Sequence, residues 1–188
     1  MGGSELELIQ RALHDDDLEA WAQIMTNYKR AVFGICLGIL RNAADAEDTA
    51  QEAFIRAYEK LHTYKIERKF STWLFTVAAN LCKNKLRRAK FSLPLKRDDL
   101  LAGAEPGADE LAAQDALQAA VRRALDRLRF DYRAPMLLRF YADLDYKEIA
   151  AVLGVPEGTV KTRLHRGKRE LKRMLEQEGG LEHGRQAA

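Results

Sequence analysis

The segment Asp145–Leu175 constrains the fold more than any other, because two helix-forming patterns stand on either side of a forced turn. Asp145 followed by Glu148 matches a capping box, which predicts the start of a helix. Gly154 permits a tight turn, and Pro156 suits the first position of a second helix. Each helix carries its apolar positions on one face. These are Ile149 and Leu153 in the first helix, and Val160, Leu164, Leu171 and Leu175 in the second. The segment therefore predicts two short helices that pack at an angle.

The second helix of this pair has a strongly polar outer face. At about 100° per residue, the stripe opposite the apolar positions carries hydrogen-bonding and cationic side chains. It consists of Thr162, His165, Arg166 and Arg169, with Lys161 and Arg163 on its flanks. Gly158 and Thr159 lie in the first turn, where free N–H groups suit a phosphate. The pattern is typical of a helix-turn-helix that reads the major groove of DNA, and an ordinary hairpin with a solvated basic face is the alternative.

Charge is segregated along the chain, although the formal net charge is only +3. Residues 60–90 hold nine Lys or Arg against one acid, and residues 156–175 hold seven against two. Acids dominate residues 4–20, with six against one Arg, and residues 98–118, with six and no base. Two basic blocks separated by an acidic segment indicate two contacts with one polyanion, with solvated helix faces as the alternative.

Helical periodicity over the rest of the chain predicts an all-α fold of two small domains joined by a flexible linker. The stretch SLPLKRDDLLAGAEPGADE is the interior acidic interval that carries Pro and Gly, and we interpret it as the linker. We expect a first domain over residues 6–90, an acidic linker over 91–112, a second domain over 113–175 and a flexible tail over 176–188. Pro135 is expected to start or kink a helix of the second domain.

The helix that follows Ser71 predicts a second nucleic-acid surface. Its outward stripe combines neutral hydrogen-bonding residues with cations: Thr76, Asn80, Lys83 and Arg87. Ahead of it, three aromatic residues are interleaved with three cations: Tyr64, Phe70 and Trp73 with Lys65, Arg68 and Lys69. Aromatic rings among cations suit single-stranded nucleic acid, because bases stack on the rings and the backbone follows the charge. In the alternative, Phe70 and Trp73 belong to the core and only Tyr64 is free.

The helix before this loop, within DAEDTAQEAFIRAYEKL, has an acidic outer face. Its inward positions are apolar: Ala50, Phe54, Ala57, Tyr58 and Leu61. Its outward positions are acidic: Asp45, Asp48, Glu52 and Glu59. Ile55 lies among these acids, and a branched apolar residue on such a face indicates a protein partner.

Other classes of protein find little support in the sequence. No apolar run approaches the roughly 20 residues that span a bilayer, and no signal peptide is present, so we expect a cytoplasmic protein without membrane insertion. Cys36 and Cys82 lie in helical apolar patterns without a CxxC spacing or a His partner, which predicts reduced core residues. The four histidines are scattered, and no phosphate loop or carboxylate cleft is visible, so we expect no metal, no cofactor and no enzyme.

Two stretches together resemble a known family: DAEDTAQEAFIRAYEKLHTYKIERKFSTWLFTVAANLCKNKLRR, followed by YKEIAAVLGVPEGTVKTRLHRGKREL. Their combination, order and spacing resemble bacterial extracytoplasmic-function (ECF) sigma factors, which are two-domain members of the sigma-70 family. The resemblance covers about Asp17–Arg88 and Leu117–Leu175. Within the family, RKFSTWL and GTVKTRLHRG look most like the sigma-W type, which is associated with cell-envelope stress.

The resemblance implies a transcription initiation subunit that directs core RNA polymerase to promoters with −10 and −35 elements. It implies three partners: promoter DNA, the β′ clamp helices and β flap of core polymerase, and an anti-sigma factor as the usual regulator. A stand-alone helix-turn-helix regulator is the alternative, and it would usually need a dimer to read two half-sites.

The resemblance also implies which residues make each contact. Polymerase would be bound by Asp48, Gln51, Glu52 and Ile55. The −10 element, with one non-template base flipped out of the duplex, would be read by Tyr64, Lys65, Arg68, Lys69, Phe70, Trp73, Thr76, Asn80, Lys83, Asn84, Arg87 and Arg88. The −35 element would be read by Gly158, Thr159, Lys161, Thr162, Arg163, His165, Arg166 and Arg169.

Overall fold

The structure of the protein is a computed structural model, and it describes residues 4–15, 17–92 and 112–185. Over these ranges the chain forms eight α-helices and one short 3-10 helix, without a strand. The first domain contains α1 (Glu5–His14), α2 (Leu18–Leu40), α3 (Ala43–Glu59) and α4 (Phe70–Ser92). The second contains α5 (Ala112–Arg127), α6 (Phe130–Phe140), α7 (Tyr146–Leu153) and α8 (Glu157–Arg185). The predicted all-α fold is confirmed, while the linker prediction falls largely on residues 93–111, outside the described ranges.

Side-chain caps explain where the first three helices begin. Ser4 and Glu7 form a reciprocal capping box at the start of α1. The carboxylate of Asp17 accepts two backbone N–H groups of the first turn of α2, each at 3.0 Å. These backbone hydrogen bonds, followed by the guanidinium of Arg11 at 2.6 Å, hold the pKa of Asp17 below its ordinary value. Asn42 caps α3 directly after α2 ends, so the two helices are joined by a sharp turn.

The core of the first domain is formed where α2, α3 and α4 pack together. Cys36 of α2 and Cys82 of α4 are fully buried free thiols, and their burial confirms the prediction that both are core residues. The hydrogen bond that the Cys82 thiol makes with Cys36, and then burial, raise the pKa of Cys82 above its ordinary value. The Cys82 thiol therefore fills the core in its neutral form.

The helix-turn-helix of the second domain has the predicted turn. Asp145 and Glu148 form the expected capping box, with both hydrogen bonds at 2.8 Å. Gly154 ends α7 in the left-handed region at φ 64°, which a residue with a side chain adopts at a cost. The exit from α7 is therefore fixed by local chemistry, and α8 starts at Glu157 in a new direction.

Two expectations for the second domain differ from the structure. Pro135 was expected to start or kink a helix, and it does not start one, because α6 begins at Phe130 and encloses the buried Pro135. A kink at Pro135 stays a prediction. The helix α8 continues to Arg185 instead of ending at Leu175. An ion pair between Lys172 and Glu176, at 3.7 Å and i,i+4 spacing, bridges the position where the helix was predicted to stop.

The two domains are in contact with each other. The helix α2 packs against α6, and α4 packs against α7, so that one hydrophobic core runs through both domains. This contact was not predicted from the sequence. It leaves the outward face of α8 and the acidic face of α3 at the surface.

Candidate nucleic-acid interface

The predicted −35 surface on α8 is exposed to solvent over one continuous stripe. Its exposed members are Gly158, Lys161, Thr162, His165, Arg166 and Arg169. The opposite side of α8 is anchored by the buried Val160, Leu164 and Met174. Gly167 is part of this anchor, because a Cβ at this position would lie 2.9 Å from Sδ of Met136 on α6. The close approach of α8 to α6 fixes the direction in which the polar stripe points.

Three residues of the −35 set are already engaged within the domain. Arg163 lies at the edge of the stripe, and its guanidinium pairs with Asp131 at 3.0 Å. The Thr162 hydroxyl donates to the carbonyl of Gly158 at 2.9 Å. The N–H of Thr159 donates to the carbonyl of Pro156 at 2.9 Å, so the expectation of a free phosphate-binding N–H at Thr159 is wrong.

Aromatic side chains from α6 and α7 hold several cations beside the stripe. The ammonium of Lys161 lies 5.8 Å from the ring centroid of Tyr146, and the guanidinium of Arg139 lies 5.7 Å from the same centroid. Lys168 lies 5.0 Å from the ring centroid of Phe140, whose side chain is 60% exposed. These cation–π contacts restrict Lys161 and Lys168 to one edge of α8. Sequence reasoning missed the aromatic residues because it followed α8 alone, although RFYADLDY places them among charges.

The predicted −10 surface borders an open groove between α3 and α4, with a volume of about 650 Å³. The groove is lined by Thr49, Glu52, Arg56, Lys60, Trp73, Thr76, Val77, Asn80, Leu81, Asn84, Lys85 and Arg88. Five residues of the −10 set are therefore brought together here: Trp73, Thr76, Asn80, Asn84 and Arg88. Lys85 bridges to Asp45 at 2.7 Å, which ties α4 to α3 along the groove. Lys83 and Arg87 are exposed on the same helix.

Two aromatic residues of the −10 set are core residues. Tyr64 and Phe70 are only 7% and 3% exposed, with ring centroids 5.3 Å apart. The Tyr64 hydroxyl donates to the carbonyl of Arg68 at 2.5 Å, and burial raises the pKa of Tyr64. Their predicted role as stacking platforms is wrong, because a base needs an exposed ring. Trp73 packs on both rings but is only partly buried, so it remains available at the groove.

The loop between Tyr64 and Phe70 is anchored at both ends, because both of these rings are buried in the core. Lys65 and Arg68 are exposed on it, as the sequence predicts for residues that follow a nucleic-acid backbone. Lys69 has a different environment, because its ammonium lies 2.7 Å from the carboxylate of Glu148 on α7. This hydrogen bond raises the pKa of Lys69. One −10 cation is therefore occupied by the second domain.

The predicted polymerase surface is one face of α3. Its four residues are all exposed: Asp48, Gln51, Glu52 and Ile55. Ile55 is 60% exposed, although α3 has a fully buried apolar side opposite it. The carboxylate of Glu52 lies 3.6 Å from the guanidinium of Arg56, a long ion pair in which Glu52 stays exposed to solvent.

Neither a metal centre nor a membrane span is found in the parts of the chain that the structure describes. No group of three or more His, Cys, Asp or Glu residues there could hold one metal ion. No helix there is long and apolar enough to cross a bilayer.

Comparisons with known proteins agree with this arrangement. The sequence matches the family model for Sigma-70 region 2 over residues 24–92 and the model for Sigma-70, region 4, over residues 118–171. It is 37% identical to the ECF RNA polymerase sigma factor SigW of Bacillus subtilis, over 85% of this chain and 90% of that relative. The chain belongs to the ECF sigma factors. It is an RNA polymerase sigma factor, and the function predicted from the resemblance is confirmed.

Further relatives of this ECF sigma factor share its length and fold. The RNA polymerase sigma-H factor of Pseudomonas aeruginosa is 29% identical, over 90% of this chain and 93% of that relative. The solved structure of CnrH in complex with the cytosolic domain of CnrY has a TM-score of 0.70 at 22% identity, covering 93% of this chain and 98% of that one. The sigma factor RpoE in complex with the anti-sigma factor NepR from Bartonella quintana has a TM-score of 0.67 at 22% identity, covering 82% and 96%.

Proposed function

We propose that this sigma factor reads the −35 element with the outward stripe of α8 and the −10 element with the groove between α3 and α4. The observation that supports this assignment most is the pair of exposed basic faces, one in each domain. Each face is backed by a packed core, so its side chains are held in position before DNA arrives. A single patch of charge would support non-specific binding only, whereas two separated faces suit two promoter elements.

At the −35 element, Arg166 and Arg169 are the best candidates for base contacts. Both lie at the centre of the exposed stripe, and an arginine can bind a guanine edge through two parallel hydrogen bonds. Lys161 and Lys168 lie at the edge of the stripe over aromatic rings, which suits them to phosphates. Arg163 is better suited to bracing α8 against Asp131 than to reading a base.

At the −10 element, the groove offers both hydrogen-bonding groups and an aromatic wall. Asn80 and Asn84 can donate to and accept from base edges, and the exposed part of Trp73 offers a surface for stacking. The groove is open and its lining combines polar and apolar side chains, so it suits a base that has left the duplex stack. Lys65, Arg68, Lys83 and Arg87 would follow the phosphates of the separated strand.

We also propose the polymerase contacts of the protein, the bounds of its two domains and its place of action. The acidic face of α3 docks on the β′ clamp helices of core polymerase, with Ile55 as its apolar anchor, while the second domain contacts the β flap. The two functional domains correspond to residues 6–90 and 113–175. The protein acts in the cytoplasm, and it makes no covalent bonds itself because polymerase carries the chemistry.

Regulation by an anti-sigma factor and a role in envelope stress complete the proposal. The resemblance of RKFSTWL and GTVKTRLHRG to the sigma-W type motivates the stress role. CnrH was solved with the cytosolic domain of CnrY, and RpoE with the anti-sigma factor NepR. An anti-sigma factor would cover the polymerase-binding or DNA-binding faces described above.

Run-off transcription with core polymerase tests the assignment of α8. Arg166→Ala should weaken use of a matched −35 element by about 1–3 kcal/mol and leave a scrambled element unaffected. Lys172→Ala is the matched control, because Lys172 is an exposed cation of α8 outside the −35 set. Equal losses on matched and scrambled elements would show that Arg166 contacts phosphate and reads no base.

A further inference from the structure

We propose that Tyr28 of α2 positions Trp73 for −10 recognition, because it links α1 through its hydroxyl to the aromatic rings that border the groove between α3 and α4. The inference rests on the proposed assignment of the −10 element to this groove. Neither Tyr28 nor its partner Glu5 lines the groove, so both act through other side chains and are positioning residues.

The hydroxyl of Tyr28 joins α1 to α2. It donates a hydrogen bond to the carboxylate of Glu5, in the first turn of α1. Ser71, in the first turn of α4, lies beside the same hydroxyl. Burial, followed by the hydrogen bond to Glu5, raises the pKa of Tyr28 above its ordinary value, so the hydroxyl keeps its proton and stays a donor. One partly buried side chain of α2 therefore meets both α1 and the start of α4.

The ring of Tyr28 begins a series of aromatic contacts that ends at the groove. Its centroid lies 5.6 Å from that of Phe70 and 6.1 Å from that of Phe75, two buried residues of α4. Phe70 packs in turn on Trp73, with centroids 5.5 Å apart, and Trp73 lines the groove. Aromatic pairs favour particular tilted and edge-on geometries, so a displaced ring changes the orientation of the ring packed on it. The orientation of Trp73 therefore depends on where Tyr28 is held.

The same rings also hold the basic loop that precedes α4. Tyr64 packs on both Phe70 and Trp73, with centroids 5.3 Å and 5.6 Å away. Its hydroxyl donates to the carbonyl of Arg68 at 2.5 Å, and both Lys65 and Arg68 are exposed on the loop. A shift of Phe70 would therefore move the stacking surface and the neighbouring cations together.

The helix α1 is anchored independently of Glu5. Three of its residues are buried in the core: Leu8, Ile9 and Ala12. Arg11 pairs with Asp17 at 2.6 Å, which ties the last turn of α1 to the cap of α2. Removal of the Glu5 carboxylate should therefore leave α1 folded and release only the hydroxyl of Tyr28.

Run-off transcription with core polymerase and the full chain tests the proposal. The measured quantity is the ratio of transcription from a matched −10 element to transcription from a scrambled one, with the −35 element held constant. Glu5→Ala should lower this ratio at least about threefold, the order expected when a coupled supporting contact is lost. Tyr28→Phe removes only the hydroxyl and should lower the ratio equally. Glu5→Gln should keep the wild-type ratio, because its amide oxygen still accepts from Tyr28.

A purely structural role of Tyr28 would give a different result. Loss of folded protein would reduce transcription from matched and scrambled −10 elements alike, so the ratio would not change. The preference for a matched over a scrambled −35 element should stay at its wild-type value in every variant, because α8 is untouched. Circular dichroism verifies that each variant folds.

The chain offers a matched control and a double-mutant cycle. Glu19→Ala removes an exposed acid from the first turn of α2 and should leave the −10 ratio unchanged. Glu5→Ala combined with Tyr28→Phe should lose no more than either change alone, because both remove the same hydrogen bond. Losses that add together, or a loss in Glu5→Gln as large as in Glu5→Ala, would overturn the proposal.

Trp73 fluorescence tests the positioning without DNA. Trp21→Phe leaves Trp73 as the sole tryptophan of the chain and keeps a ring beside Tyr58. In this background, Glu5→Ala should make Trp73 easier to quench with acrylamide, whereas Glu5→Gln should not. Equal quenching in all three proteins would refute the positioning role. If quenching changes as expected but wild type does not distinguish a matched from a scrambled −10 element, the proposed function of the groove fails and the positioning of Trp73 stands.

Discussion

Replacing the buried Arg133 should destabilise the folded chain far more than replacing a surface arginine next to it. Its guanidinium donates to the carbonyls of Leu128 and Ile39 at 2.7 Å, and to that of Asp126 at 3.3 Å. Two good hydrogen bonds from a charged donor contribute about 1.5–3 kcal/mol each, or about 3–6 kcal/mol together. Burial acts against this, because it lowers the pKa of Arg133 from its ordinary value to about 10, a penalty of roughly 3 kcal/mol for the charged form.

The variant Arg133→Met removes both the hydrogen bonds and the burial penalty while it keeps most of the volume. Two carbonyls then lose their donor inside the protein, at about 1–3 kcal/mol each. We therefore expect a loss of about 2–6 kcal/mol in the free energy of unfolding, measured by urea denaturation with two spectroscopic probes. Arg129→Met is the control, because Arg129 is 78% exposed and only 3.9 Å from its acidic partner, which predicts a change below about 0.5 kcal/mol. Equal effects of the two substitutions would refute this reasoning.

Three further perturbations address the docking face and the helix caps. Ile55→Glu should weaken binding to core polymerase at least about tenfold by removing an exposed apolar anchor, without a change in thermal stability; retention of wild-type affinity would exclude Ile55 from the contact. Asp145→Ala should cost about 1 kcal/mol in the free energy of unfolding, because the first turn of α7 loses its cap; an unchanged urea midpoint would contradict this. The lowered pKa of Asp17 means that its charge stabilises the fold above pH 3.8 and stops doing so as the pH falls through the folded-state pKa. The difference in urea midpoint between wild type and Asp17→Asn should therefore narrow below pH 3.8, and a difference that stays constant into strong acid would argue against it.

Features determined by neighbouring residues could be predicted from the sequence. The capping box of Asp145 and Glu148 and the left-handed Gly154 depend on local backbone chemistry, and both are present. The exposed stripe of α8 follows from helical periodicity, which also predicted the acidic face of α3 correctly as a surface. Most of the residues proposed to contact the −35 element and polymerase lie on these elements.

Features determined by distant residues were not predictable in the same way. Tyr64 looked free in the sequence because its burial depends on other segments of the chain. Its ring packs against Phe70, and Phe70 packs in turn against Tyr28 of α2, with ring centroids 5.6 Å apart. Nothing close to Arg133 in the sequence marks it as buried, since its acceptors include a carbonyl from a distant helix. The close approach of α6 to Gly34 and Gly38 of α2 is visible only in the structure, because Tyr141 and Leu137 lie far from these glycines in the sequence. In each case the deciding contact joins segments far apart in sequence.

Run-off transcription by core RNA polymerase on a promoter library randomised at both elements tests the central assignment most directly. We predict that the wild-type protein enriches one pair of motifs at a fixed spacing. Arg166→Ala should lose sequence preference at the −35 element alone, and Asn80→Ala should lose it at the −10 element alone. Transcription that does not change when the protein is added, or the same pattern of loss in both variants, would contradict the account.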